Sequence, residues 1–186
     1  MAARKPKRYV EKPVRKNRIY KGGAIDFYAD TIEMHNKKHA VREYIGHPGA
    51  VAVLPVTDEG EIVFVEQYRY PVGKSTLEIP AGKMHRGHDN YLKRARAELK
   101  EETGYTAKKI ERLRIFWPCC AFSNEELHIY LATGLVPGES KPDADEFLNV
   151  YHIPFAKALK MAESGKLKDS KTIIALMAYA LKKRSV

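Results

Sequence analysis

Three glutamates, Glu98, Glu101 and Glu102, stand at i, i+3 and i+4 in the stretch KRARAELKEETGY. On a helix these positions share one face, with Cβ atoms about 5–6 Å apart, and like charges there repel by roughly 0.2–0.5 kcal/mol per pair. A strand would not gather them, because neighbouring side chains alternate between its faces. A divalent cation turns the repulsion into binding. An all-oxygen donor set suits a hard ion, Mg²⁺ or else Mn²⁺, rather than zinc. A solvated acidic face is the plainer account of such a cluster taken alone, so the flanking residues decide.

Those flanks supply the elements that must position the carboxylates. Asp89 or Asn90 is placed to cap the helix, and Gly104 to end it in a left-handed turn. Ahead of it, Pro80, Gly82 and Gly87 mark a loop whose backbone can approach a ligand closely. Leu77 to Ile79 reads as a strand leading into that loop. Strand, glycine loop and acidic helix together favour a metal site over a solvated face.

Residues 81–105, AGKMHRGHDNYLKRARAELKEETGY, resemble the Nudix box. That box runs Gly, five residues, Glu, seven residues, then Arg-Glu-apolar-any-Glu-Glu-any-Gly-apolar. Its second half matches at Glu98, Leu99, Glu101, Glu102, Gly104 and Tyr105. Its first half departs: Ala97 replaces the arginine, Asp89 the first glutamate, and Gly82 lies one residue too far upstream. Keeping the usual spacing would put His88 at the acid position. The ion pair that normally steadies the glutamates must then come from Arg94 or Arg96.

The remaining chain is of ordinary soluble composition: 186 residues, 44% hydrophobic and 30% charged, enough for one domain with a real core. No apolar run approaches the roughly 20 residues that span a bilayer, so no membrane partner is expected. The basic start has no apolar segment of the secretory kind. Cys119 and Cys120 are adjacent and cannot frame a disulfide-rich fold, which points to a reducing, cytoplasmic setting. Residues 1–18 carry eight Lys or Arg against Glu11, most of the formal charge of +10. They read as an unstructured basic tail, solubilising first and a contact for nucleic-acid phosphates second.

Residues 19–47 alternate as strands with a Gly-Gly turn, forming a small antiparallel subdomain; residues 48–186 form the main domain. Strands are expected from AVAVLPV, EIVFVEQYRY (after a hairpin turn at Asp58-Glu59-Gly60), IERLRIFW, ELHIYLATGL and FLNVYHI. Two helices follow. One runs from Pro154 to about Ser164, with Gly165 as its stop. The other is capped by Asp169 or Ser170 and buries Ile173, Ile174, Leu176, Met177, Ala180 and Leu181. The expected fold is α/β, a sandwich of helices on both sides of a mixed sheet.

HPGAVAVLPV, EQYRYPVG, LEIPAGK and SGKLKDSKTIIALM extend the resemblance to the ADP-ribose and nucleoside-diphosphate-sugar branch of Nudix hydrolases, from about Ile19 to the C-terminus. It implies the Nudix fold and Mg²⁺-dependent hydrolysis of the diphosphate in ADP-ribose or another nucleotide sugar, yielding a nucleoside monophosphate and a sugar phosphate. Glu98 and Glu102 are expected as metal ligands and Glu101 as a ligand or bridging catalytic group. By similarity the Ala81 carbonyl is a further ligand. The branch draws its base from a late loop, here within 137–146: Glu146 first, then Asp145 or Asp143. Arg42 and Arg69 match arginines used against the nucleotide or diphosphate, where a planar fork suits phosphate. Glu78 is positioned to accept ribose hydroxyls. Phe27, Tyr28, Tyr68 and Trp117 are stacking candidates, although core packing is the commoner fate of an aromatic. The histidines show no metal spacing. The resemblance also implies a homodimer swapped through residues 19–47. Two alternatives stay open: a Nudix hydrolase of capped or triphosphorylated RNA, prompted by the tail, and a catalytically silent nucleotide-binding module, prompted by Ala97 and the irregular Gly82-to-Asp89 spacing.

Overall fold

The computed structural model describes residues 8–85, 90–142 and 146–184. The chain divides into two compact units, Met1–His47 with Cys119–Glu125, and Pro48–Pro118 with Glu126–Val186.

The first unit is a four-stranded antiparallel sheet of β1 (Lys12–Arg15), β2 (Arg18–Lys21), β3 (Asp26–Glu33) and β4 (His39–Gly46). β4 pairs along the whole of β3, while β1 and β2 share its other edge. Ordered strand therefore begins inside the stretch expected to be an unstructured tail. The reason is local. Asp30 accepts from the Asn17 N–H and from the Tyr44 hydroxyl, fixing the turn between β1 and β2. Pro13 is tolerated because an edge strand needs fewer donors. Charge alone did not keep these residues unpaired.

The second unit is built on a mixed sheet in the order β8-β5-β10-β9, from β8 (Ala81–Lys83), β5 (Ala50–Pro55), β10 (Leu127–Val136) and β9 (Thr106–Phe116). β10 runs parallel to β5 and antiparallel to β9. A second, antiparallel sheet has the order β11-β6-β7, from β11 (Leu148–Pro154), β6 (Glu61–Arg69) and β7 (Lys74–Glu78). The turn at Asp58–Gly60 is not a true hairpin. One bridge, Val56 to Ile62, joins its two arms before they enter different sheets. β8 replaces part of the expected glycine loop, because Gly82 and its neighbours find ladder partners on β5.

Side-chain alternation along β5 builds two cores. Val51 and Val53, with Tyr130 and Ala132 of β10, face Ala95 and Leu99 of α1 (Tyr91–Thr103). Ala52, Leu54, Ile129 and Leu131 face Ile62 and Phe64 of the second sheet and the helices α2 (Phe155–Glu163) and α3 (Ser170–Arg184). Helices thus cover both faces of the mixed sheet, as expected. Asp169, rather than Ser170, caps α3 through the Thr172 N–H at 3.0 Å. The buried face of α3 is rotated from the expected one: Thr172, Ala175, Leu176 and Ala178 go inside, while Met177 and Leu181 are exposed. Leu176 is buried as expected and Ile173 and Ile174 pack against the core, while the short Ala175 and Ala178 let the helix approach the sheet.

Leu99 is fully buried between α1 and β5, worth about 1.5–3 kcal/mol in burial alone. Leu99→Ala is expected to cost about 2–5 kcal/mol in urea denaturation, cavity included. Met177→Ala should stay within about 0.5 kcal/mol of the parent; a large loss there would contradict the rotated face.

Candidate active site

α1 starts where the Asn90 side chain accepts from Leu92 N–H and Lys93 N–H, and it stops at Gly104, whose φ is 76°. The other capping candidate, Asp89, and with it Gly87 and His88, lies outside the described residues. Between these ends the helix buries Glu98 and Glu102 and leaves Glu101 half-exposed. The two buried carboxylates face β8. A Cβ added to Gly82 would overlap the Glu98 carboxylate, so any larger residue there would push that carboxylate out of its place. Glu102 Oε2 accepts the Ala81 N–H at 3.1 Å. Helix and strand are thus joined by backbone contacts at the two positions where the chain has least bulk.

Ala97 leaves no arginine at its usual place, and Arg94 takes over from one turn earlier. Its guanidinium meets Glu98 Oε1 and also Glu101 Oε2, the latter at 3.3 Å. Arg96 turns away and donates to the Ala107 carbonyl. Among the described residues Glu102 receives no such partner of its own. Burial, then the charge of Glu98, raises its pKa from 4.5 to about 8, with Glu146 adding to the rise; the Ala81 N–H and Lys171 pull the other way. Glu146 is therefore placed near enough to Glu102 to act on it. Asp143 and Asp145 lie outside the described residues.

A second charged group lies at the end of β7. Glu78 is buried, and Arg69 clasps it side-on, Nε to Oε1 at 2.8 Å and Nη2 to Oε2 at 2.7 Å. Lys171 Nζ and Thr76 Oγ1 also bond it. Burial by itself would raise the Glu78 pKa; Arg69, Lys171 and Thr76 outweigh it and hold the carboxyl at about 2. With these partners around its carboxylate, Glu78 serves to hold Arg69 more directly than to meet a ribose. Lys171 was not singled out by its sequence context, since it sits in a lysine-rich stretch that reads as solvated. One signal was there: a cation in the first turn of a helix opposes the helix dipole and needs a carboxylate nearby.

Arg42 belongs to the first unit, on β4, and lies side-on against Glu11, with Nε to Oε2 at 2.9 Å. Phe27 and Tyr28 are in the same unit, Tyr28 stacked on Tyr44 with centroids 5.0 Å apart. Tyr68 and Trp117, of the second unit, are exposed rather than packed in its core. Both cysteines are free thiols.

Among the described residues, no three carboxylate, thiol or imidazole groups are gathered as a ready-made metal cage. The donor chemistry nonetheless fits a hard cation. Two carboxylates are buried side by side, and one of them is held near neutrality of charge only by keeping a proton at ordinary pH. A divalent ion beside them would remove that cost, as opposite charge favours the ionised form.

A family model described as NUDIX domain matches residues 46–175. The chain is 43% identical over 174 residues to the ADP-ribose pyrophosphatase of Bacillus subtilis (strain 168), covering 92% of this chain and 94% of that one. It is 39% identical over 177 residues to the methanol dehydrogenase activator of Bacillus methanolicus, covering 94% and 95%. A solved structure titled as an ADP compounds hydrolase superposes with a TM-score of 0.81 at 18% identity, covering 94% and 95%. That likeness carries the fold.

Opposite pH slopes are expected from the two buried acids in metal-free protein. Glu102 has a raised folded pKa, so its contribution is whole below about 4.5 and is lost as pH rises through about 8. Glu78 has a lowered one, so its contribution is present above about 4.5 and is lost as pH falls toward about 2. Urea midpoints across pH in chelator should show Glu102→Gln flattening the first slope and Glu78→Gln the second.

Proposed function

The chain belongs to the NUDIX family, and from that premise we propose that it hydrolyses the diphosphate of ADP-ribose or a related nucleoside diphosphate sugar. One observation carries this beyond family membership: Glu98 and Glu102 are buried together against Ala81 and Gly82, and Glu102 keeps its proton up to about pH 8. Such a pair is costly to fold unless a cation and a phosphate complete it. The extended similarity to the Bacillus subtilis ADP-ribose pyrophosphatase favours that substrate.

Glu98 and Glu102, with the Ala81 carbonyl, are the residues that would hold Mg²⁺ or Mn²⁺; Glu101 is a further ligand or a bridge. When bound, the ion neutralises phosphate oxygens and lowers the pKa of an attached water. The chain's own part is positional. Arg94 keeps Glu98 and Glu101 from swinging apart. Arg69, anchored through its Nε and Nη2 edge, keeps its remaining N–H groups for the diphosphate. Water adds to one phosphorus while the bridging P–O bond breaks, giving a nucleoside monophosphate and a sugar phosphate. Glu146 takes the proton from that water, a role supported by its charge reaching Glu102.

Of the two motives for the silent-module alternative, the one from Ala97 goes, since Arg94 fills the place that Ala97 vacates; the Gly82-to-Asp89 spacing runs through residues outside those described. A homodimer is part of this proposal. The first unit exposes Val14, Ile19, Tyr20 and Val41 on one small sheet, more apolar surface than a lone sheet ordinarily shows to water.

Purified protein with Mg²⁺ is expected to release AMP from ADP-ribose. Glu102→Gln should lose more than the roughly 10–100-fold that removal of an outer-shell partner costs, without loss of fold by circular dichroism. No release from any nucleotide sugar, or an undiminished Glu102→Gln, refutes the assignment. Sedimentation should give twice the 21.2 kDa of one chain.

A further inference from the structure

Arg69 and Lys171 converge on one carboxylate. Lys171 Nζ bonds Glu78 Oε2 and lies 2.9 Å from Asp169 Oδ1, with its side chain almost wholly buried. Arg69 takes the same Glu78 with two bonds, yet its side chain is 42% exposed. The four groups form a neutral quartet of two cations and two carboxylates. Its cations are not equivalent: Lys171 is enclosed, and Arg69 opens outward on its unused edge.

The quartet is anchored at both ends. Asp169 Oδ2 accepts from the Thr172 N–H and hydroxyl, and Thr172 Oγ1 in turn accepts the Ile79 N–H at 2.9 Å. The first turn of α3 thus grips the backbone immediately after Glu78. Val53 N–H to the Pro80 carbonyl at 2.8 Å grips the next residue from the other side. Neither Glu78 nor the residues after it can shift without breaking the start of α3.

We propose that Lys171 is a positioning residue for substrate binding: it neutralises Glu78 from the buried side, so that Arg69 is held in orientation while its charge stays available to an anionic diphosphate. The inference rests on the hydrolase reading given above. Arg69 alone against Glu78 would be a closed pair with no net field. With Lys171 present the quartet is neutral, and the outward edge of Arg69 is where its positive end faces solvent. Without it, the cluster carries one negative charge in excess, next to the incoming phosphates, and a buried carboxylate keeps Arg69 for itself.

The test is steady-state hydrolysis of ADP-ribose by the full chain with Mg²⁺. Lys171→Met should raise KM about tenfold and change kcat less than about threefold, while Lys171→Arg, which keeps the charge, should restore KM to within about threefold. Adding Glu78→Gln to Lys171→Met removes the excess negative charge and should lower KM again. If Lys171→Met alters kcat or the active fraction with KM unchanged, or if the double variant binds no better than the single, Lys171 is only structural and the proposal falls. Should Lys171→Met fail to fold, the parent protein still decides. Its Arg69 side-chain Nε resonance, identified by its loss in Arg69→Lys, should respond to added ADP without losing protection; no response overturns the proposal. Failure of the parent to cleave any nucleotide sugar would instead overturn the hydrolase reading itself.

Discussion

The second unit depends on one constraint: Glu98 and Glu102 must be buried against a backbone that has no side chain to put in their way. Glycine at 82 admits the first carboxylate and the Ala81 N–H receives the second. Everything nearby follows from keeping that meeting in register. Leu99 and Ala95 seat the helix on β5, and β8 pairs with β5 at Ala52 to Ala81. The acidic face and the core face are therefore set by the same helical turn. A rotation of α1 that exposed the carboxylates would also draw Leu99 out of the core.

Such an arrangement places the cost of charge where a ligand can remove it. Glu102 is protonated at ordinary pH by burial and by its neighbour. Glu78, equally buried, is ionised because two cations and a hydroxyl reach it. Two glutamates in comparable burial thus hold opposite charge states. The difference lies in their partners: among the described residues two cations and a hydroxyl meet Glu78, whereas Glu102 has the Ala81 N–H and the charge of Lys171 against those of Glu98 and Glu146. A group finished internally supports structure, and an unfinished one waits for chemistry from outside.

Much of this was legible in the residues. The i, i+3, i+4 spacing gave the helix face, Asn90 and Gly104 its ends, and the missing arginine at 97 pointed to Arg94 or Arg96; the fold then chose Arg94, which alone points back across the face. The strands of the main domain and both helices of the C-terminal part also followed from alternation and caps. Other features depended on long-range pairing that local pattern does not encode. Strand at Lys12–Arg15 exists because β3 offers an edge. The divergence at Asp58–Gly60 reflects which sheet each arm joins. Lys171 meets Glu78 across 93 residues of chain, so nothing beside it in the sequence distinguishes it from the solvated lysines around it. The α3 face departs from the apolar pattern at Met177 and Leu181, which are exposed, because close approach of the helix is made by Ala175 and Ala178.

Gly104 does more than end the helix. A Cβ there would strike the Gly138 carbonyl, and the Lys141 N–H bonds the Glu101 carbonyl at 2.9 Å. The last turn of α1 is thus latched to residues 138–141. Opening at Lys141 therefore requires fraying of the helix end, so this stretch of loop takes its local stability from the helix that bears the carboxylates.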